Sequence, residues 1–527
     1  MRPVYLGLPM LERELKLHVP AAGQARVEEE LKRLGATGIA LHACYFDTEN
    51  RDLAMAGVAL RLRQEGDRWV QTIKAPGPDE LSRIETNHER PGPELDLSVY
   101  RDTPLESLLA PWNDTLALRY ETQISRLAVR HDTGQGIIEL AYDRGWIKAG
   151  GLRLAVHELE LEQISGDTAN LFMLGREWLN KHGLLIDLRS KAERGDALAQ
   201  AVRTFRDAIP PKASRQLPEP VLAQSLKARR AEPVTLDPSA SVEQAYQRCA
   251  NECLNQIIRN AAFLAGVDSR PRAGPDLRVA YVHQLRVGMR RLRSCWKFFG
   301  KWLRLDEALP LDELRRYFSL LGQTRDHDVV QLSIAPRLAK AGMPALPETA
   351  ATHGKKAAQD MRALAASGQF QSFLLDLLER LLECGAESRA RARPKHVRSP
   401  GKQLSSRLNK WLRQACDAGE HFRQLPAEAQ HDLRKDVKRL RYSLDFSASL
   451  MKGKRLLAIR SALALAQETL GELNDLYVAQ AHYAPLAASQ PNALFALGWL
   501  KAAQEHKQTE AQAAFKQLAK AGPLKAR

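Results

Sequence analysis

The sequence predicts two architectures in one chain: an α+β N-terminal domain built on a closed antiparallel β-barrel, and an all-α C-terminal helical bundle with internal duplication. Three observations predict this. Short segments of the first half place charge on one face and apolar groups on the other at period two, the mark of strands. The second half carries apolar residues at helical spacing over long runs, with few strand-like stretches. Two of its segments repeat each other 148 residues apart, at His283 and His431. Charge divides the chain in the same way. Residues 1–205 hold 26 Lys and Arg against 31 Asp and Glu, a net of −5, and residues 206–527 hold 52 against 31, a net of +21. The proline-containing basic stretch from Ile209 to Pro238 reads as a connection, so the expected division is 1–205, a linker over 206–235, and 236–525.

Taken in order, the first strand is LERELKLHV (11–19), with Glu12, Glu14 and Lys16 on one face and Leu15 and Leu17 on the other. Residues 23–34 have helical spacing. In VALRLRQEG, Arg61 and Arg63 oppose Leu60 and Leu62; in WVQTIKAP, Lys74 faces away from Trp69, Gln71 and Ile73. IIELAYDRG puts Glu139 and Asp143 on one face, and HELELEQI alternates Glu158, Glu160 and Glu162 with Leu159 and Leu161. A second helix is expected over 167–183, with Asp167 as N-cap and Gly183 as stop. Like charges two apart on a strand lie about 7 Å from each other and repel. A sheet wetted on one side would disperse the signs. A closed barrel lined by the charged faces instead lets carboxylates hold a hard divalent cation through oxygen while Arg and Lys clamp phosphate oxygens.

These segments resemble the CYTH family, the triphosphate tunnel metalloenzymes. The resemblance rests on ERELK at 12–16, YFDT at 45–48, LRLR at 60–63, TIK at 72–74, SRIE at 82–85, IELAYD at 138–143, IKAG at 147–150, HELELEQISGDT at 157–168 and SKAERG at 190–195, in order over residues 8–200. It implies metal ligation by Glu12 and Glu14 with Glu158, Glu160 and Glu162, the ligating pair among the last three being open. It further implies a triphosphate clamp of Lys16, Arg61, Arg63, Lys74, Arg83, Arg126 and Lys191, with Glu139 and Asp143 binding metal or orienting water. The implied activity is hydrolysis of inorganic triphosphate with Mg²⁺ or Mn²⁺. Thiamine triphosphate hydrolysis and cyclisation of ATP to cyclic AMP also occur in the family. No aromatic pocket for a base or thiamine stands out, which favours the inorganic substrate.

In the second half, VHQLRVGMRRLRSCWKFFGKWLR (282–304) and QHDLRKDVKRLRYSLDF (430–446) share His, then basic residues at +3, +7 and +10, offsets that fall on one helical stripe. The first stripe is His283, Arg286, Arg290 and Arg293, running on to Lys297, Lys301 and Arg304, with Arg291 beside it. The second is His431, Arg434, Lys438 and Arg441, with Lys435 and Arg439 beside it. Few acidic residues intersperse them, so an external polyanion is expected. LGQTRD (321–326) and LGELND (470–475) repeat as well. This half, over about 236–520, resembles the CHAD domain. That likeness implies binding of inorganic polyphosphate along the basic surface, with the histidines as hydrogen-bond donors or structural pins. The scarcity of aromatics in the stripes argues against nucleic acid.

The remaining features exclude rather than assign. Six scattered cysteines lack metal spacing and suit reduced thiols, with Cys249 and Cys253 packing on a helix. The first residues lack a signal-peptide profile and no apolar run has membrane-spanning length, so the expectation is a cytoplasmic protein, associated with polyphosphate granules and not with a membrane. No G-x-x-x-x-G-K-[ST] loop or H-E-x-x-H occurs, and His327-Asp328 lacks the companions of an HD-type hydrolase. The alternative to an enzyme is a polyphosphate-binding scaffold with little turnover.

Overall fold

The computed structural model describes the chain except residues 1–9, 78, 80, 104, 113–114, 206–226, 269–274, 304–308, 345–360 and 391–398, and the side chains of 108, 275–276, 323–328 and 384–390. Most of the linker, Arg304, the side chain of Cys384 and those of Arg325 to Asp328 therefore lie outside the described residues. Two compact units are formed: 1–229 with 258–278 and 362–379, and 230–257 with 279–361 and 380–527.

In the first unit nine strands are hydrogen-bonded in the order β5-β4-β3-β2-β6-β7-β8-β1-β9. They are β1 (Met10–His18), β2 (Thr37–Asp47), β3 (Ala59–Glu65), β4 (Arg68–Pro76), β5 (Ser82–Arg90), β6 (Ala117–Asp132), β7 (Ile137–Ala149), β8 (Leu152–Gln163) and the short β9 (Leu185–Ile186). All pairings are antiparallel. β1 pairs with β8 and also with β5, through Glu12↔Arg83, so β1 to β8 close into an eight-stranded barrel.

The barrel is inverted relative to an ordinary core. Leu15, Leu17, Leu159 and Leu161 are fully buried on the outer face. Helix α1 (Gln24–Arg33), helix α2 (Thr168–His182) and helix α3 (Lys191–Thr204) follow as coverings, α2 packing on β1 and β8 and α3 on β6 and β7. Close approach requires glycine: a Cβ on Gly175 would lie 2.4 Å from Leu15 and one on Gly195 2.3 Å from the Tyr120 ring. Elsewhere Leu60 and Ile73 face outward into a second apolar cluster with Leu53, Val58, Tyr100 and Leu109. Since apolar groups are buried outside, the charges of each strand are left to the lumen. Both expected helices are present. Asp167 accepts from the Asn170 amide at 3.0 Å, and Gly183 adopts φ +68° at the stop.

The second unit is helical. Its main helices include α4 (Val242–Ala265, entering from residue 242), α5 (Pro275–Leu303), α6 (Leu311–Asp328), α7 (Gly368–Ala390), α8 (Pro400–Glu420), α9 (Ala427–Ser447), α10 (Gly453–Tyr483) and α11 (Ala493–Lys520), with parts of α4, α5 and α7 belonging to the first unit. The last four pack consecutively, and α8 also packs on α11, closing a four-helix bundle. In α5 the core face is Leu285, Met289, Leu292, Cys295 and Phe299, at helical spacing. Cys249 and Cys253 are buried among apolar neighbours as free thiols.

Candidate functional site

The lumen brings together charged residues of seven strands and one helix terminus. Lys16 donates to Glu14 at 2.8 Å and Glu160 at 2.6 Å. Lys74 bonds Glu12 at 2.8 Å and also contacts Glu85, which lies 3.8 Å from Arg61. Arg126 grips Asp143 with two bonds of 2.6 and 2.7 Å and Glu160 with one of 2.7 Å. Lys191 reaches in from the first turn of α3, capped by Ser190, and bonds Asp143, Glu158 and Glu160 at 2.7, 2.6 and 2.9 Å. Glu12, Lys16, Glu85, Asp143 and Glu158 are all buried. Charges so removed from water persist only when paired.

Burial opposes ionisation in each group, and the neighbours decide the outcome. Carboxylates beside Lys16, Lys74 and Lys191 outweigh burial and hold these ammonium groups above their ordinary range. In the same way Glu14, Glu85, Asp143 and Glu160 are held low despite burial, by Lys16 and Lys74, by Lys74 and Arg61, by Arg126 and Lys191, and by Lys16 and Lys191 respectively. Glu158 departs from this pattern: burial, reinforced by Glu160 and opposed by Lys191, pushes it up to about 7. Burial and Arg61 bring Arg63 down to about 10, still charged at neutral pH.

The sequence-derived residues are distributed along this lumen. Glu14, Glu162 and Glu139 stand opposite one another on β1, β8 and β7, with Arg130 continuing the row at 3.4 Å from Glu139. One register step deeper lies Glu160, then Glu158 with Asp143 and Arg126. Arg83 is directly across from Glu12 and donates to the Ser82 carbonyl. Arg63 pairs with Glu65. Sequence reasoning missed Glu85, Glu65 and Tyr45, whose hydroxyl hydrogen-bonds Arg61. The signal for Glu85 was present in SRIE, where it shares a strand face with Arg83.

The donor chemistry suits a hard divalent cation: Glu12, Glu14, Glu158 and Glu160 offer oxygen ligands in a lumen that also holds Lys and Arg for phosphate oxygens, and each of these carboxylates is engaged by a lysine. When bound, such an ion would polarise phosphate oxygens and neutralise their charge.

In the helical unit, α5 and α9 bring their basic stripes together. Burial lowers the Lys438 ammonium to about 6, reinforced by Arg434, Arg290 and Arg286 against Asp475. Lys297 and Arg293 are also lowered, by burial with Arg439 and Arg315 as their leading cationic neighbours. Arg286 bonds the Leu321 and Gly322 carbonyls at 3.4 and 3.2 Å and lies over Phe318. Lys435 and Arg439 pair with Asp432 and Asp436 at 2.8 and 2.7 Å. His283 and Arg441 are partly buried on these helices, and His431 is exposed. Arg291 is not brought to the stripe: it is 3% exposed and bonds Gln256 at 2.6 Å. A cleft of about 830 Å³ between α5 and α8, lined by Lys301, Trp302, Lys402, Arg407 and Trp411, extends this basic surface.

A closed barrel with its ionisable groups inside, followed by an all-helical basic unit, defines a two-part protein of tunnel and bundle. The chain carries a CYTH domain over residues 10–195 and a CHAD domain over residues 248–484, in that order. The inorganic triphosphatase of Haemophilus influenzae is 29% identical over 158 residues, 29% of this chain and 44% of that protein, so less than half of that relative's length is matched. An uncharacterised Mycobacterium tuberculosis protein is 26% identical over 435 residues, 76% of this chain and 75% of its own. Among solved structures, the CHAD domain of Ricinus communis shares 28% identity and covers 57% of this chain and 99% of its own, with a TM-score of 0.45. A putative adenylate cyclase of Bacillus halodurans shares 20%, covering 34% and 91%, with a TM-score of 0.26. Among the described residues, no helix is long and apolar enough to cross a membrane.

Proposed function

We propose that the barrel hydrolyses inorganic triphosphate with Mg²⁺ or Mn²⁺, and that the helical unit binds inorganic polyphosphate. The observation that carries the first part is the buried lumen in which Glu12, Glu14, Glu158 and Glu160 interleave with Lys16, Lys74, Arg126 and Lys191. These charges neutralise one another. A triphosphate would draw Lys16, Lys74, Lys191 and the arginines to its oxygens, freeing the carboxylates to hold a cation. Arg126 and Lys191 keep Asp143 ionised, so its oxygens can accept a hydrogen bond from an attacking water and aim it. Release of phosphate from the clamped chain is thus governed by positioning and charge neutralisation.

The likeness over the N-terminal part to an inorganic triphosphatase supports the substrate class. Support for polyphosphate comes from the crowding of Lys438, Arg434, Arg290 and Arg286, a concentration of like charge that an anion would relieve. A cytoplasmic place near polyphosphate granules follows from this reading. The test is phosphate release from inorganic triphosphate, ATP and thiamine triphosphate, with Mg²⁺ or Mn²⁺ and with EDTA. EDTA-sensitive release from inorganic triphosphate is expected. Absence of release from all three would replace the enzyme with a polyphosphate-binding scaffold.

A further inference from the structure

The outer face of the barrel holds a second group of metal-ligating side chains, remote in chemistry from the lumen. His42 and Cys44 alternate on β2, and Glu121 stands across from Cys44 on β6. Alternation sends Ala43 and Tyr45 inward and this trio outward. The Cys44 thiol lies 3.7 Å from a Glu121 oxygen and His42 Nε2 lies 3.5 Å from the same oxygen. One ligand atom from each of the three fits within 4.8 Å of the others. Tetrahedral zinc, with bonds of about 2.0–2.3 Å, sets its ligand atoms roughly 3.3–3.7 Å apart.

We propose that His42, Cys44 and Glu121 bind Zn²⁺, with water completing the coordination. Two features of the free site favour an ion over a hydrogen-bonded cluster. His42 Nε2 is shielded from solvent and makes no hydrogen bond, a costly state for a polar atom. The Cys44 thiol lies 3.7 Å from the Glu121 carboxylate, so a single proton stands where a cation would satisfy sulfur and oxygen together. Binding would replace that proton, which leaves to solvent as the sulfur bonds the metal. Ligand type separates the two sites: the lumen offers hard oxygen donors suited to Mg²⁺ or Mn²⁺, and the outer trio offers nitrogen, sulfur and one oxygen. A bound ion would clamp β2 to β6, two strands that carry lumen residues Tyr45 and Arg126.

Co²⁺ serves as the probe, titrated into the full chain with Mg²⁺ in excess to cover the lumen carboxylates. One equivalent is expected to produce a thiolate-to-cobalt charge-transfer band that Zn²⁺ abolishes. Cys44→Ser should remove the band, and His42→Gln and Glu121→Gln should each weaken binding by roughly tenfold or more. Zn²⁺ should also raise the Tm of the native chain and not that of Cys44→Ser. A missing band, a band that survives Cys44→Ser, or unchanged affinity in both His42→Gln and Glu121→Gln would overturn the proposal. Circular dichroism of each variant separates lost ligation from lost fold.

Discussion

Lysines in the two units experience opposite electrostatics. In the barrel, Lys16, Lys74 and Lys191 sit among carboxylates that hold their protons more tightly than usual. On the bundle, the half-buried Lys438 and the more exposed Lys297 lie beside other cations and hold theirs less tightly. The difference teaches what each surface lacks. The lumen is neutralised from within, so a charged ligand must exchange partners with pairs that already exist. The bundle face carries excess positive charge and is relieved by an anion alone.

The largest expected effect separates the two regions outright. Replacing Glu12 and Glu14 by alanine should lower phosphate release from triphosphate by roughly 10²–10³-fold, the range for removing a charge-stabilising group from an active site. Lys74 keeps Glu85 and Lys16 keeps Glu160, so the barrel should still fold. Polyphosphate affinity should not change. A variant that kept its turnover would place the chemistry elsewhere.

Next in size is stability. Arg126→Ala removes the bidentate partner of Asp143, which is almost wholly buried. Breaking a buried pair costs about 3–5 kcal/mol, and the lower end applies because Lys191 stays beside Asp143. Lys438→Met removes a cation from among cations and should stabilise the helical unit. The native Lys438 releases its proton above about pH 6, while the unfolded chain keeps it up to the ordinary lysine range. Unfolded chains therefore bind the extra proton between these values, stability rises with pH across that window, and the gain from Lys438→Met is greatest at its low end. Denaturant melts at pH 6 and pH 9 measure it. Polyphosphate would restore the proton, so calorimetry at pH 7.5 in buffers of different ionisation heat should show proton uptake on binding that Lys438→Met abolishes.

What was legible in the sequence follows from what period alone encodes. Period two fixed which side chains share a strand face, so Glu12, Glu14, Lys16, Arg61, Arg63 and the β8 glutamates could be read as one lining. Caps fixed α2, through Asp167 and Gly183. Partner choice was not legible, because it depends on closure: Lys74 meets Glu12 across 62 positions only because β5 turns back onto β1. Glu85 shares a strand face with Arg83 in SRIE, but its burial against Lys74 and Arg61 comes from closure and has no local mark. Helical spacing also has a sharp edge, as Arg291 shows. It follows Arg290 by one residue, a rotation of about 100°, which turns it from the stripe into contact with Gln256 in the core.

The smallest expected effect is also the most selective test of the bundle face. Lys435 is exposed and pairs with Asp432 three residues away, an arrangement that water and salt screen almost completely. Lys435→Ala should therefore leave Tm unchanged within error. If polyphosphate lies along α9, the same substitution removes one phosphate contact and its released counterion, lowering the slope of log K against log salt by roughly one. Lys501 provides the control. It is exposed on α11 and pairs with Glu505 in a similar way, but lies outside both stripes. Equal loss of slope at Lys435 and Lys501 would mean that polyphosphate reads only the net charge of the bundle. Loss at Lys435 alone would place the polyanion along the stripe, where the crowding of Lys438 and its neighbours already disfavours leaving the surface without one.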